Sequence, residues 1–541
     1  MSQYGRNPLL TVKPNRLDKA ISYLSPAWGA KRTRARMFEA LSGSFNGASR
    51  TRRALKEWST QSADADADIL YDLPLLRERS RDLLRNAPIA VGAIGTSLAN
   101  VVGTGLKLQS RIDAEYLGLS EDKADVWEDN TEREFRLWAE SQECDIARTL
   151  NFVGLQALAF RQTIENGDVF ALLPRIDRKG SPYSLKIQLV EADRVCNKDW
   201  ASDTESLVSG IQKDPATGAP IFYHIANQHP GVTRFWKMGS NTWAVVPAFG
   251  AKTGLRNVLH LYEMTRPGQT RGVPFLAPVM ETLKQLDRYT EAELMAAVVS
   301  GMFTVFIQSD AGGLDFQTAT GMGVETGAAS DDDDMKLGNG AIVGLKKGET
   351  INSADPGRPN TAFDPFVKSI LEQIGAALGI PFEVLIRHFS SSYSASRAAL
   401  LEAWRFFRSR RVWLVSVFCQ PIYEAWLYEA IASGRISAPG FFADPMTAKA
   451  YSGAEWTGDS PLYIDPQKDV ESAKGRIDGL LSTYDAETTL LTGGDFEKNV
   501  RQRGKEKRMI DKAGLLSAPP PTTPGRPQET IPTNPDEGGG E

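Results

Sequence analysis

The sequence is poor in the residues that most catalytic chemistry needs. Its 541 residues include only 3 cysteines and 4 histidines. Cys144, Cys196 and Cys419 lie far apart with no paired spacing, which excludes a disulfide framework and a cysteine zinc site and fits a reducing cytoplasm. No H-E-x-x-H, C-x-x-C or G-x-S-x-G motif is present. A Walker A loop needs backbone amides and a lysine placed around phosphates. Its nearest approach, GNGAIVGLKKGET (Gly338 to Thr350), lacks the spacing and puts no Ser or Thr after a Gly-Lys pair. The contiguous carboxylates Asp331 to Asp334 close a Gly-, Thr- and Ala-rich loop from Gly312 to Met335, and read as a solvated charge run rather than a metal site. His224 and His229 bracket HIANQH and read as packing or hydrogen-bonding residues. No catalytic, cofactor-binding or metal-ligating constellation emerges, so a non-enzymatic role without cofactors is expected.

Long apolar runs are also missing. The longest uncharged stretch, Asn86 to Leu106, has the length of a membrane span. It contains Asn86, Pro88, Ser97, Asn100 and 4 glycines and follows RERSRDLLR, so it reads as a buried helix ending at Gly103 or Gly105. The first residues hold no apolar stretch of the kind that starts a secretory signal. An excess of positive charge is absent: 62 Lys and Arg face 67 Asp and Glu, a net charge of −5. That balance argues against a repressor-like protein that grips nucleic acid by wholesale phosphate neutralisation.

What is present is a globular composition, 41% hydrophobic and 24% charged, in a chain long enough for several subdomains. The segment 1–61 is a locally basic arm (Arg32, Arg34, Arg36, Arg50, Arg52, Arg53), read either as a solvated arm or as one that touches nucleic acid, scaffold or capsid protein. Residues 62–183 are mixed. A helix begins near Leu73, another covers Asp125 to Ala139 with Trp127, Phe135 and Trp138 as apolar anchors, and a third runs Phe152 to Ile164 before the ENGD turn and the strand VFALLPRI. Residues 184–272 are strand-rich and include a hairpin whose turn is set by Asp214, Pro215 and Gly218. Segment 273–362 holds a long helix from Leu276, β segments and the Gly-rich loop. Segment 363–434 holds long helices, one of which Pro421 must kink or divide. Segment 435–517 is helical, and 518–541 is a Pro- and Gly-rich disordered tail.

The sharpest local feature is RPGQTRGVP, Arg266 to Pro274, between the strand VLHLYEM and the helix from Leu276. Two prolines and two glycines forbid a regular element across it, so it is a shaped turn. A junction so specified, carrying no nucleophile, points to architecture. Arg266, Gln269 and Arg271 are its candidate junction or intersubunit residues. FSSSYSASR (Phe389 to Arg397) joins two helices, and Ser394 or Ser396 can cap the second. The same segment can instead be a loop that faces DNA through Ser390, Ser391, Ser392, Tyr393 and Ser394. Arg405, Arg408, Arg410 and Arg411 on the following helix read as a solvated face or as intersubunit ion pairs, with Glu402 a helix partner for Arg405, or as a nucleic-acid patch.

Four segments in this order resemble the lambda-type family of tailed-phage portal proteins: RSRDLLRNAPIAVGAIGTSLANVVGTGLKLQ, CDIARTLNF with ENGDVF, HLYEMTRPGQTRGVPFLAPV, and IPFEVLIRHFSSSYSASRAALLE. The resemblance implies an α+β subunit with wing, α-helical stem, β-containing clip and helical crown, assembled as a ring, usually of twelve copies, at one capsid vertex. It further implies passage of double-stranded DNA, with terminase large subunit, major capsid and scaffold proteins and head-tail connector proteins as partners, and no membrane. The expected location is the virion, with assembly in the host cytoplasm. On this reading 62–183 belongs to the wing, 184–272 includes the clip, the helix from Leu276 is a candidate stem helix, 388–397 is a candidate tunnel loop and 435–517 belongs to the crown. The rival readings are a packaging nuclease or ATPase, and an adaptor or other virion component.

Overall fold

Proline and glycine punctuation becomes element boundaries in the computed structural model, which describes residues 20–23, 25–41, 53–55, 57–60, 62–231, 242–301, 305–309, 349–353, 362–389, 392–461 and 465–515. The aspartate run, Ser390, Ser391 and the Pro-rich tail lie outside the described residues. Met1–Asp68 form one compact unit, and Ile69–Glu541 form the other. The first contains helix α1, Pro26–Leu41, which carries Lys31, Arg32, Arg34 and Arg36 of the basic arm.

The second unit opens with α2 (Leu73–Asn86) and α3 (Pro88–Val101), each with a proline in its first turn, where the missing N–H costs nothing. Gly103 and Gly105 both adopt positive φ and end α3 at the expected place. β1 (Lys107–Ser110), α4 (Glu121–Glu140) and α5 (Phe152–Asn166) follow. Phe135 of α4 packs edge-on against Phe152, Tyr423, Trp426 and Trp456, so the expected anchors Phe135 and Trp138 sit within the main core, while Trp127 packs against its edge.

β2 (Asp168–Leu172) lies between β3 (Gln188–Glu191) and β8 (Val258–Tyr262) in a three-stranded antiparallel sheet. β4 (Leu207–Val208), β5 (Ile211–Lys213), β6 (Pro220–Ala226) and β7 (Trp243–Pro247) form a four-stranded meander. Its β5–β6 turn has the predicted chemistry: the Asp214 carboxylate accepts from Ala216 N and Thr217 Oγ1, and Gly218 takes φ +73°. Phe170, Val190, Val195, Ile211, Tyr223, Ile225 and Val258 bury a second core across the two sheets.

A 3₁₀ turn, Ala277–Val279, delays the start of the long helix α6 to Met280–Gly301. β9 (Val305–Ser309) pairs with β10 (Glu349–Ser353), and α7 (Phe363–Leu378) ends at left-handed Gly379. The helix around Pro421 is divided by a local change of winding rather than by a break. α8 (Tyr393–Leu414) passes through a π turn, Val415–Cys419, into α9 (Gln420–Ala432), with Pro421 in the first turn of the new segment. A π turn widens the ladder at the point where proline cannot donate. The chain closes with α10 (Pro445–Tyr451), β11 (Ala454–Thr457), α11 (Pro466–Asp478), α12 (Tyr484–Thr492) and α13 (Phe496–Lys512). β11 pairs antiparallel with β1, joining residues more than 340 positions apart. The fold is α+β, with helices predominating. No described helix is long and apolar enough to cross a membrane.

Two expectations are corrected here. Arg410 and Arg411 do not form a solvated face. Arg410 pairs with Glu263 at 2.7 Å and lies over the rings of Phe275 and Phe406, while Arg411 donates to the carbonyls of Asn100, Val101 and Asp459. Both clamp α8 to earlier elements because the guanidinium can donate in several directions at once. Arg405 does meet Glu402 at the surface, 3.5 Å away. The cap of α8 is Ser392, not Ser394 or Ser396: its Oγ accepts from Ala395 N, whereas Ser394 is exposed and Ser396 is buried in the first turn.

Candidate functional site

The site is built around Asp168, the first residue of β2, whose side chain is fully buried at 0% exposure. Gly167 before it has φ +90°, which lets α5 stop and turn directly into the strand. Arg271, from the RPGQTRGVP turn, is 2% exposed and donates all five of its N–H groups. Nε and Nη2 reach Asp168 Oδ2 and Oδ1 at 2.6 and 3.3 Å, Nη1 reaches the carbonyls of Val195 and Ser209 at 2.9 Å each, and Nη2 also reaches that of Ala192 at 2.7 Å. Arg77 from α2 approaches from the other side. Its Nη2 donates to Asp168 Oδ1 at 2.7 Å and its Nε to the carbonyl of Asn166 at 2.9 Å.

Burial by itself would raise the Asp168 carboxyl, but the guanidiniums of Arg271 and Arg77 and the hydrogen bond from His260 hold it far below the usual carboxylate range. His260 faces Phe170 across the β2–β8 register and stacks on it at 4.2 Å. Burial pushes its pKa below the ordinary value, against the pull of Asp168. The ring is therefore neutral, with Nε2–H donating to Asp168 Oδ2 over 3.1 Å.

The turn itself is held by Gln269. Its Oε1 accepts from Thr265 N and Oγ1 and from Arg266 N, and its Nε2 donates to Arg271 O at 2.8 Å. Arg266 is exposed at the turn's outer edge, while Gln269 and Arg271 are buried within it. The turn then meets the ENGD segment backbone to backbone. A Cβ on Gly272 would lie 2.0 Å from the Gly167 carbonyl oxygen, and one on Gly167 would lie 2.4 Å from that of Gly272.

Charge pairing continues outward from Asp168 and Arg77. Arg81 of α2 donates to Asn166 Oδ1, pairs with Asp193 and lies 3.2 Å from Glu191. Burial would raise the Asp193 carboxyl, but Arg77 and Arg81 bring it below its ordinary value. Glu191, Asp193 and His229 each offer a ligand atom within 4.8 Å of one another. Arg81 already sits on both carboxylates, so the positive charge this cluster needs comes from within the chain. A cleft of about 450 Å³ opens beside the network, walled in part by Leu73, Arg77, Asp193, Cys196 and Trp200. Burial raises the Cys196 thiol, which makes it a poor nucleophile.

The geometry supports one kind of work. Three guanidiniums (Arg77, Arg81, Arg271) face three carboxylates (Asp168, Glu191, Asp193), drawn from α2, the α5–β2 turn, the end of β3 and the RPGQTRGVP turn. Three segments read separately in the sequence are one brace in space. Sequence reasoning singled out Arg271 and Gln269 but missed Asp168, Arg77 and His260 as their partners. The signal for Asp168 was its place after Asn-Gly at a helix-to-strand turn; nothing local marked Arg77.

The candidate loop residues lie elsewhere. Tyr393 is half exposed, with its hydroxyl 3.4 Å from Arg397 Nη1. Arg397 also pairs with Asp469 of α11 at 2.8 Å, which ties the start of α8 to the C-terminal segment.

Residues 51–411 match a family model described as "Phage portal protein, lambda family". Portal protein B of Escherichia phage lambda is 27% identical over 482 residues, covering 85% of this chain and 88% of that protein. The portal protein of Escherichia phage N15 is 27% identical over 485 residues, covering 85% and 89%. A solved structure titled "Neck of native GTA particle computed with C12 symmetry" contains a chain with 11% identity and a TM-score of 0.39, covering 76% of this chain and 92% of that one.

Proposed function

This chain belongs to the lambda family of phage portal proteins, and from that premise we propose that it assembles as a ring of about twelve copies through which double-stranded DNA enters and leaves the head. A portal works at a capsid vertex, and its partners there are the terminase large subunit during packaging, major capsid and scaffold proteins around it, and head-tail connector proteins afterwards. Assembly takes place in the host cytoplasm. The chain is a scaffold and hydrolyses nothing itself. In this reading 62–183 contributes to the wing, 184–272 includes the clip, α6 is the stem helix, and 435–517 contributes to the crown. The end of α6 exposes Leu294, Met295 and Val298, an apolar face of the kind that helix-to-helix packing between subunits covers.

The observation that carries the reading is the brace at Asp168. The most specific segments of the chain spend their polar groups on one another, and what they fix is an angle between helices and sheets. A ring that carries force needs that stiffness, and a buried, hydrogen-bonded charge network supplies it.

Negative-stain microscopy of the purified full chain is expected to show rings with a central hole wide enough for duplex DNA, and incubation with ATP and Mg²⁺ is expected to show no turnover. Monomers under every condition, or robust hydrolysis, would sink the proposal.

The tunnel-loop assignment gives a separate expectation. Ser392 should be left in place because its Oγ caps α8, a contact worth about 1 kcal/mol. The double change Ser390→Glu/Ser391→Glu, which adds negative charge next to that cap, should leave rings intact and reduce DNA filling in a packaging assay. Normal filling would remove these residues from a DNA-facing role.

A further inference from the structure

Among the described residues, α13 is anchored at its beginning alone. Phe496 stacks on Tyr484 at 5.5 Å, Asp495 caps the helix by accepting from Lys498 N, Lys498 Nζ lies 2.5 Å from Glu132 Oε2, and Arg501 pairs with Asp129. From Arg501 to Leu515 every residue is exposed. An isolated helix of about 12–15 residues is marginal in water, and a mid-helix glycine such as Gly504 costs about 1 kcal/mol more. A helix of this composition calls for a second surface.

The spacing of its charges says what that surface is. Lys498, Arg501, Lys505 and Arg508 follow one another at steps of three, four and three, which places them on one face of α13. On α4, Asp122, Asp125, Asp129 and Glu132 follow the same steps. The two closed pairs, 498 with 132 and 501 with 129, run antiparallel. Continued in that register, Lys505 would meet Asp125 and Arg508 would meet Asp122. Those two rungs are open: among the described residues Lys505, Arg508, Asp122 and Asp125 form no ion pair, and all four are exposed. Each copy therefore carries a pair of cations and a pair of carboxylates with matched spacing and no direct ion-pair partner, although Asp125 also acts on Arg501 from a distance.

We propose that Lys505 and Arg508 of one subunit close on Asp122 and Asp125 of the next, so that α13 is a strap between neighbouring copies of this chain; this rests on the ring reading above. A head-to-tail interface needs two different, complementary patches on each protomer, and these are such patches. Each patch also holds an exposed apolar residue on the same helical face. Met509 lies four residues after Lys505, and Val126 lies four after Asp122. Contact between helices covers those side chains, whereas a phosphate backbone would leave them in water. That favours a protein partner over DNA for this face. One exposed pair contributes about 0.2–1 kcal/mol, so the strap acts through repetition around the ring and weakens with salt.

The test uses two full-length variants that leave the closed rungs untouched: Lys505→Glu/Arg508→Glu, and Asp122→Lys/Asp125→Lys. Alone, each places like charges at every interface, and its ring yield at low salt, read by mass photometry, should fall about tenfold or more against wild type. Mixed one to one, the two should recover rings containing both chains, because each reversed patch then meets its complement on a neighbour. The melting temperature of unassembled Lys505→Glu/Arg508→Glu should match wild type, since both residues are exposed, while that of Asp122→Lys/Asp125→Lys should fall slightly, because Asp122 lies in the first turn of α4 and Asp125 acts on Arg501.

If wild type forms rings and both variants form them equally well, the strap is wrong while the portal reading stands. If mixing recovers nothing but a chain carrying all four changes does, the zipper closes within one subunit and the proposal fails. If rings persist and only DNA retention is lost, the basic face serves nucleic acid and the proposal fails. A wild type that forms no rings would instead count against the portal reading.

Discussion

Asp168→Asn is expected to be among the most damaging single changes in the chain. It leaves the shape of the side chain almost intact but removes the negative charge from between Arg77 and Arg271, both buried. Breaking a buried ion pair by removing one partner costs about 3–5 kcal/mol, because the remaining charge is stranded in a poorly polarisable interior. Arg77 would keep Asp193, 3.4 Å away, but Arg271 would be left with backbone carbonyls alone. The variant should melt well below wild type or fail to accumulate as soluble protein. Asp478→Asn, at an exposed position, should melt with wild type. Equal melting of Asp168→Asn and wild type would mean that the network contributes nothing to the fold.

The same network sets a pH dependence with a definite sign. His260 is held neutral in the folded chain by burial, while the unfolded chain takes up a proton below about pH 6.5. Its contribution is therefore present above that value and lost as pH falls toward the lowered folded value. Asp168 stays ionised in the folded chain, so its contribution is present above the unfolded value of about 3.9 and lost only in stronger acid. Both groups favour neutral over acidic conditions. The melting temperature should decline below about pH 6.5 and again near pH 4, and the second decline should shrink in Asp168→Asn. A melting temperature that rises on acidification through this range would refute the assignment of a neutral His260.

Gly272→Ala is the second large effect. The added methyl would sit 2.0 Å from the Gly167 carbonyl oxygen and 2.9 Å from Tyr262 Cβ, and the first of these obstacles is backbone that cannot rotate away. Overpacking typically costs about 1–3 kcal/mol and more when the neighbours cannot move. Relief would require separating the turn from the α5–β2 corner, which also pulls Arg271 off Asp168. Gly268→Ala, in the same turn, provides the comparison. Gly268 has φ +84° but open space around it, so only backbone strain of about 1–2 kcal/mol applies. Gly272→Ala should lower the melting temperature clearly more than Gly268→Ala. Equal losses would show that the turn's own conformation, rather than its contact with Gly167, is what matters.

Much of the fold was legible in the sequence because it depends on local chemistry. Proline positions, glycine at positive φ and the Asp-Pro-x-x-Gly turn located α2, α3 and the β5–β6 hairpin to within a few residues. Apolar spacing placed Phe135 and Trp138 in a core. Less legible was anything that depends on which distant residues meet. Arg410 and Arg411 sit on a helix rich in charge, and their sequence neighbourhood says solvent. Their partners, Glu263 and the carbonyls of Asn100, Val101 and Asp459, lie on segments that only folding brings near. The cap of α8 lies two or four residues before the expected Ser394 or Ser396, since several hydroxyls can cap and the backbone angle at Ser392 decides.

The sequence by itself determined the α+β class, the family, and the importance of the turn at Arg266 to Pro274. A shaped turn, a basic arm and missing catalytic motifs are all properties of neighbouring residues. The tertiary structure alone decided what the turn is for. It carries Arg271 to Asp168 across 103 positions and sets Gly272 against Gly167, so that α2, α5, β2 and the start of the long helix share one buried, charge-balanced joint. Burial is a property of the whole chain, and it turns an ordinary Asp-Arg pair into a brace. In water such a pair is worth little. Enclosed by two sheets and a helix, neither charge can be removed without stranding the other.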